Sequence, residues 1–135
     1  MSHIARINTK IRNLEYLKKA LAEMDMEYVE AEEGSCIAVK GFGKAEIAGE
    51  CELEIKTGSS YGIGLRKAAD GYEMVADWWA IETFTGYTQE TIVARITRQY
   101  AYETVMDKVR GMGYSVLSEE EDASENLRIS VCRWA

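Results

Sequence analysis

Proline is absent from this chain of 135 residues, and histidine occurs once, as His3. Without proline there is no stiff Pro-rich linker to separate domains, and turns must rest on Asn, Asp, Ser and the 11 glycines. A Ser-His-Asp or Cys-His arrangement would have only His3 to build on, and His3 reads as a surface or strand-edge residue. The three cysteines, Cys36, Cys51 and Cys132, are scattered and odd in number, which fits reduced thiols. Cys-x-x-Cys, His-x-x-x-His and calcium-loop spacings are all missing, so neither a metal centre nor a cofactor is expected. No run approaches the roughly 20 apolar residues that span a bilayer. Residues Met1–Arg6 also lack the apolar stretch of a secretory signal. The expected location is the cytosol, or the stroma for a plastid-encoded chain.

Positive charge is also scarce: 16 Lys and Arg stand against 23 Asp and Glu, a net charge of −7. Such a balance repels phosphate backbones at long range, so nucleic acid is a disfavoured partner. The basic residues near the start, Arg6, Lys10, Arg12, Lys18 and Lys19, read as a solvated surface. Gly41-Phe42-Gly43-Lys44 and the glycines of Gly58–Gly64 do not match the phosphate-cradling Gly-x4-Gly-Lys-Ser/Thr, and neither leads into a helix. They read as hairpin turns and strand glycines.

What the chain does have is apolar content: 47% of its residues are hydrophobic and 29% charged, enough for one adequate core. Ala5, Ile7, Thr9 and Ile11 alternate with Arg6, Asn8 and Lys10, the period of a half-buried strand. Asn13 is a helix N-cap, followed by Leu14, Leu17, Leu21 and Met24 on one stripe. Short strands are expected over Glu27–Glu32, Cys36–Lys40, Ala45–Thr57, Tyr61–Lys67 and Tyr72–Trp79, as an antiparallel meander. In the third, Ile47, Cys51, Leu53 and Ile55 share the inward face. Asp70-Gly71 predicts a type I′ hairpin turn. Thr88 caps a second, longer helix with Ile92, Ile96 and Tyr100 inward, the stripe continuing through Tyr102, Val105, Val109 and Met112 to Gly111–Gly113. Strands at Tyr114–Glu120 and Leu127–Trp134 close the chain around an acidic loop. The reading is a single α+β domain: an antiparallel sheet of about six to eight strands with two helices on one face. Met26-Glu27-Tyr28-Val29 and Met112-Gly113-Tyr114-Ser115-Val116, each after a helix, suggest a pseudo-twofold β-α-β-β repeat.

Several pieces carry a family resemblance. They are Leu17-Lys18-Lys19-Ala20-Leu21, Tyr61-Gly62-Ile63-Gly64-Leu65 and Tyr72-Glu73-Met74-Val75-Ala76-Asp77-Trp78, then Arg98-Gln99-Tyr100-Ala101-Tyr102, Gly113-Tyr114-Ser115-Val116 and Arg128–Trp134. Together they resemble the uncharacterised family that includes the hypothetical chloroplast reading-frame 35 protein of plastids and cyanobacteria. The resemblance spans nearly the whole chain and implies an accessory role beside a AAA-type ATPase.

Candidate contacts follow from residue chemistry. Asp77, Trp78 and Trp79 meet at the end of the meander, near Phe84 and Tyr87, and adjacent strand residues face opposite sides, so one Trp belongs outside the core. Exposed Trp, Tyr and Arg anchor protein interfaces, which makes Asp77, Trp78, Trp79, Arg98, Tyr102, Arg133 and Trp134 the candidate partner-binding set. No catalytic residue is assigned. Self-association through an open sheet face or edge would use the same surface. Two rival readings stand: a ligand-binding domain or enzyme with Asp77, Tyr61 and Arg98 in a pocket, and a single-stranded nucleic-acid binder stacking bases on the same rings.

Overall fold

The computed structural model describes residues 4–43, 46–121 and 127–133, with the side chains of 46–49, 114–121 and 127–133 left aside. Strand β1 (Ile4–Asn8) leads to helix α1 (Leu14–Glu23), where the Asn13 side chain accepts the Glu15 N–H at 2.8 Å, capping the helix as the sequence predicts. Leu17, Ala20 and Leu21 form its fully buried stripe. The helix ends in a Schellman turn: the Met26 N–H donates to the Leu21 carbonyl at 2.9 Å and the Asp25 N–H to Ala22 at 3.2 Å. The left-handed position that such a turn requires is held by Asp25 (φ 55), where glycine is usual.

Strands β2 (Tyr28–Glu30), β3 (Ile37–Lys40), β4 (Glu46–Ile55), β5 (Ile63–Ala68) and β6 (Gly71–Asp77) join β1 in one antiparallel sheet of six strands. The order is β1-β6-β5-β4-β2, with β3 also on β4. Only β4–β6 form the expected meander: β1 pairs with β6 at one edge, while β3 and β2 share the far edge of β4. The β5–β6 hairpin also departs from expectation. Ala68 pairs with Gly71, so Ala69 and Asp70 occupy the turn and Asp70 keeps a negative φ. Gly71 (φ 141) instead admits a close strand approach: a Cβ there would lie 2.5 Å from the Ile11 carbonyl oxygen.

A β-bulge splits β4. Its register with β5 shifts between Cys51 and Leu53, which turns Cys51 away from the face that alternation assigns it. Leu53, Ile55, Ile63, Leu65 and Met74 pack beneath the helices in the main core. Cys51 joins Val39 and Val75 in a second small core on the opposite face. Gly64 makes the space for it, since a Cβ would stand 2.5 Å from Cys51 Sγ and 2.6 Å from Val39 Cγ2. The face expected to be open is therefore partly roofed by β3.

Trp78 and Trp79 do not extend β6. They begin a helix, α2 (Trp78–Thr85), which makes three helices where two were expected. Gly86 (φ 82) ends it, and Thr88 caps α3 (Gln89–Gly111) by accepting the Thr91 N–H at 3.2 Å. Ile92, Ile96 and Tyr100 are buried as predicted; beyond them Met106 carries the stripe inward, while Val105 and Met112 are exposed. α1 and α3 pack together, linked by the Tyr16 hydroxyl donating to Asp107. β7 (Tyr114–Glu121) and β8 (Leu127–Arg133) pair only with each other among the described residues. The pseudo-twofold repeat is not seen: β2 and β3 both pair with β4 and not with each other.

Candidate functional site: an aromatic corner

Asp77, the last residue of β6, is fully buried, and its carboxylate holds two segments at once. Oδ1 accepts the Ala80 N–H at 3.1 Å and starts α2; Oδ2 accepts the Phe42 N–H at 2.9 Å and ties down the chain leaving β3. Trp78 then turns into the main core, 4% exposed, with its indole Nε1 donating to the Ala5 carbonyl at 3.2 Å. Trp79, about 100° further round the helix, is half-buried and meets Phe42 edge-on at 5.0 Å between ring centroids.

Phe84, at the far end of α2, completes the group. It stacks on Tyr61 at 5.4 Å and on Phe42 at 6.2 Å and stands edge-on to Trp79 at 6.5 Å. The Lys40 ammonium lies 5.8 Å from the Tyr61 ring centroid. Phe42 is 40% exposed and Phe84 54%, so much of this aromatic surface faces water. Ring pairs of this kind contribute about 0.5–1.5 kcal/mol each beyond area burial. The four rings thus hold one another in a fixed arrangement, and the arrangement is outside the core.

Of the candidate set, Asp77, Trp78 and Trp79 are brought together here, in distinct roles: Asp77 clamps, Trp78 anchors, and Trp79 is presented. Arg98 and Tyr102 lie elsewhere, on α3, in a groove of about 520 Å³ lined also by Met24, Met26, Tyr87, Ile92, Arg95 and Gln99. Asp77 lines neither that groove nor the shallower hollow of about 410 Å³ around Arg12, Lys67 and Tyr72. Arg133 belongs to β8, its side chain outside the description, and Trp134 and His3 lie outside the described residues. Phe42 is the member that sequence reasoning missed. Its signal was the spacing Gly41-Phe42-Gly43, an aromatic between two glycines.

Perturbed groups fall away from the corner. Burial first, and Glu50 second, push the Cys51 thiol up to about 11. Burial and the neighbouring Glu52 raise Tyr72. Lys18 donates to the Glu30 and Glu15 carboxylates, which in that order raise it to about 12, and the Glu30 pair ties α1 to β2. Among the described residues no three His, Cys, Asp or Glu side chains converge as metal ligands, and no helix is long and apolar enough to cross a membrane.

Residues 20–130 match the family described as "Protein of unknown function (DUF1257)". The chain belongs to that family. Similar DUF1257 relatives include the uncharacterized protein ycf35 of Cyanophora paradoxa, 30% identical over 136 residues that cover 99% of this chain and 98% of the relative. The uncharacterized protein ycf35 of Guillardia theta is 24% identical over 140 residues, with the same coverage. No solved structure matches the chain significantly. The DUF1257 match takes in the whole aromatic corner and the α3 groove.

Proposed function

We propose that this chain is a non-enzymatic accessory domain that binds a protein partner through the aromatic corner, and that the partner is a AAA-type ATPase. The observation behind the first part is the contact among Phe42, Tyr61, Trp79 and Phe84 on the surface, with Asp77 fixing the backbone on both sides. Exposed, preorganised aromatic side chains lose little freedom on docking and are the residue types that dominate interface energetics. The identity of the partner rests on the family resemblance. Such a role fits the cytosol or a plastid stroma. Two features weigh against the rivals. Both Asp77 oxygens are engaged by backbone N–H groups, which leaves a structural carboxylate rather than a catalytic one. A net charge of −7, with Lys40 the one cation stacked at the corner among the described residues, is a poor match for a nucleic-acid backbone.

The test is affinity purification of the tagged chain from native lysate, with and without magnesium-ATP, followed by mass spectrometry. Stoichiometric recovery of a AAA-type ATPase is expected, reduced about tenfold or more by Trp79→Ala or Phe84→Ala, as for interface anchors. Recovery of only a second copy of the chain would replace the ATPase reading with self-association. Recovery of nothing above background overturns it.

A further inference from the structure

The polar groups that the aromatic corner leaves unused say what kind of chain fits it. Trp78 and Trp79 are neighbours with opposite fates. Trp78 Nε1 donates to the Ala5 carbonyl at 3.2 Å, whereas Trp79 Nε1 and the Tyr61 hydroxyl make no hydrogen bond among the described residues. The Lys40 ammonium, 5.8 Å from the Tyr61 ring centroid, makes no ion pair among the described residues. The carboxylates around it are engaged elsewhere. Both Asp77 oxygens accept backbone N–H groups. Glu54, which fills the space at Gly62, stands 2.8 Å from Lys56 Nζ, and Glu82, on the helix that carries Trp79 and Phe84, accepts the Gln89 N–H at 2.8 Å.

An indole N–H and an ammonium can only donate, and a phenol can donate. The rings themselves form a stack with a wall. Phe84 lies near-parallel to Phe42 and Tyr61, at 21° and 25°, and Trp79 crosses Phe42 at 75° and Phe84 at 86°. The complement of such a surface is a chain rich in apolar rings and acceptors and poor in donors. Proline meets both conditions: it has no N–H, and its pyrrolidine ring is apolar. In the polyproline II conformation the backbone makes no internal hydrogen bonds, so its carbonyls are free to accept. A segment of this kind is extended before it docks and loses little conformational freedom, and aromatic-lined surfaces are its usual receptors. Unpaired Lys40 adds charge complementarity, which a carboxylate on the segment satisfies.

We infer that what docks at the corner is an acidic, proline-rich segment of another protein in the polyproline II conformation; this rests on the reading of the corner as a protein-binding surface. Trp79 Nε1 and the Tyr61 hydroxyl donate to carbonyls of the segment, its prolines pack on Phe42 and Phe84, and Lys40 pairs with its carboxylate. None of the 135 residues here is proline, so a second copy of this chain does not supply the segment.

The experiment is a proton–nitrogen NMR titration of the intact protein, followed at the tryptophan indole N–H signals. The probe is the peptide Pro-Pro-Glu-Pro-Pro-Glu-Pro-Pro. Ala-Ala-Glu-Ala-Ala-Glu-Ala-Ala and Pro-Pro-Lys-Pro-Pro-Lys-Pro-Pro are the controls for proline and for charge. The Trp79 signal, assigned by its loss in Trp79→Phe, is expected to move downfield and saturate with the probe, and to move far less with either control. The Trp78 signal, already bonded to Ala5, should stay in place and reports that each variant is folded. Phe84→Ala should weaken binding about tenfold or more, as for an interface anchor. Lys40→Gln should weaken it about threefold, as for an exposed ion pair. A Trp79 signal unmoved by millimolar probe would overturn the inference. So would equal movement with the alanine or the lysine peptide, or a response indifferent to Phe84→Ala in a folded protein. The inference and the ATPase reading fail separately. An ATPase recovered from lysate but not displaced by the probe keeps the partner and removes the proline-rich segment. A saturating Trp79 shift with no ATPase recovered keeps the segment and removes the ATPase.

Discussion

The Tyr100 hydroxyl accepts the backbone N–H of Asn13 at 3.2 Å, across 87 residues of sequence, and that of Arg12 at 3.0 Å. Asn13 is the N-cap of α1 and Tyr100 sits near the middle of α3, so a single phenol sets where α1 begins against α3.

Tyr100→Phe keeps the ring and removes the oxygen. Two half-buried N–H groups then lose their acceptor, and the expected loss is about 1–2 kcal/mol. Urea denaturation should show a lower midpoint with an unchanged slope. An unaltered midpoint would mean that water replaces the hydroxyl without penalty.

Asp77→Ala removes the cap of α2, about 1 kcal/mol, and the acceptor of the Phe42 N–H, about as much again. Both the urea midpoint and the near-ultraviolet circular dichroism of the Trp79–Phe42 pair should fall. Asp77→Asn should behave similarly, because both carboxylate oxygens face N–H donors and the amide offers an oxygen to only one of them.

Asp25→Gly should raise stability. Relief of the left-handed conformation favours Gly by roughly 1 kcal/mol, offset in part by the greater freedom of Gly in the unfolded chain. A net gain of about 0.5 kcal/mol in urea denaturation is expected. A loss would show that the Asp25 side chain contributes more than its backbone costs.

Cys51 predicts a pH dependence. Burial raises its thiol from the ordinary 9.0 to about 11, so the native state holds the proton that the unfolded state releases first. This contribution to stability is complete below pH 9 and is lost as pH rises from 9 towards 11. Cys51→Ala should flatten that part of the stability curve. At pH 8, iodoacetamide should modify exposed Cys36 in the folded protein and reach Cys51 only in denaturant, as peptide mass spectrometry would show.

The N-caps of α1 and α3 were legible in the sequence, because Asn13 and Thr88 announce their helices by side-chain chemistry alone. Five of the six strands of the main sheet lie within about two residues of where alternation put them, for the same local reason, while β1 ends at Asn8, three residues short of Ile11. Three features resisted. Trp78-Trp79 continued the apolar run of β6, and only the Asp77 cap, used across the chain by Phe42, shows that the backbone turns into a helix there. Glu52 looks like any outward strand residue, and its bulge depends on how β5 pairs with β4. Asp70-Gly71 has the composition of a hairpin turn, but the Ile11 carbonyl claims Gly71 for a close contact instead. In the candidate set, Trp79 and Arg98 have suitable chemistry yet occupy different surfaces, and linear order carries no information about which aromatic, Phe42, would meet Trp79.

The double use of Asp77 makes the corner a readout of folding. Phe42 follows β3, Tyr61 precedes β5, and Trp79 and Phe84 ride on α2, so their rings meet only when those separately encoded pieces have docked. Were β3 to detach from β6, the Phe42 N–H would leave the carboxylate and the four-ring surface would disperse while much of the helical core stayed intact. A partner that grips all four rings would therefore distinguish the finished domain from a nearly finished one, and would engage this chain only after its last piece of sheet is in place.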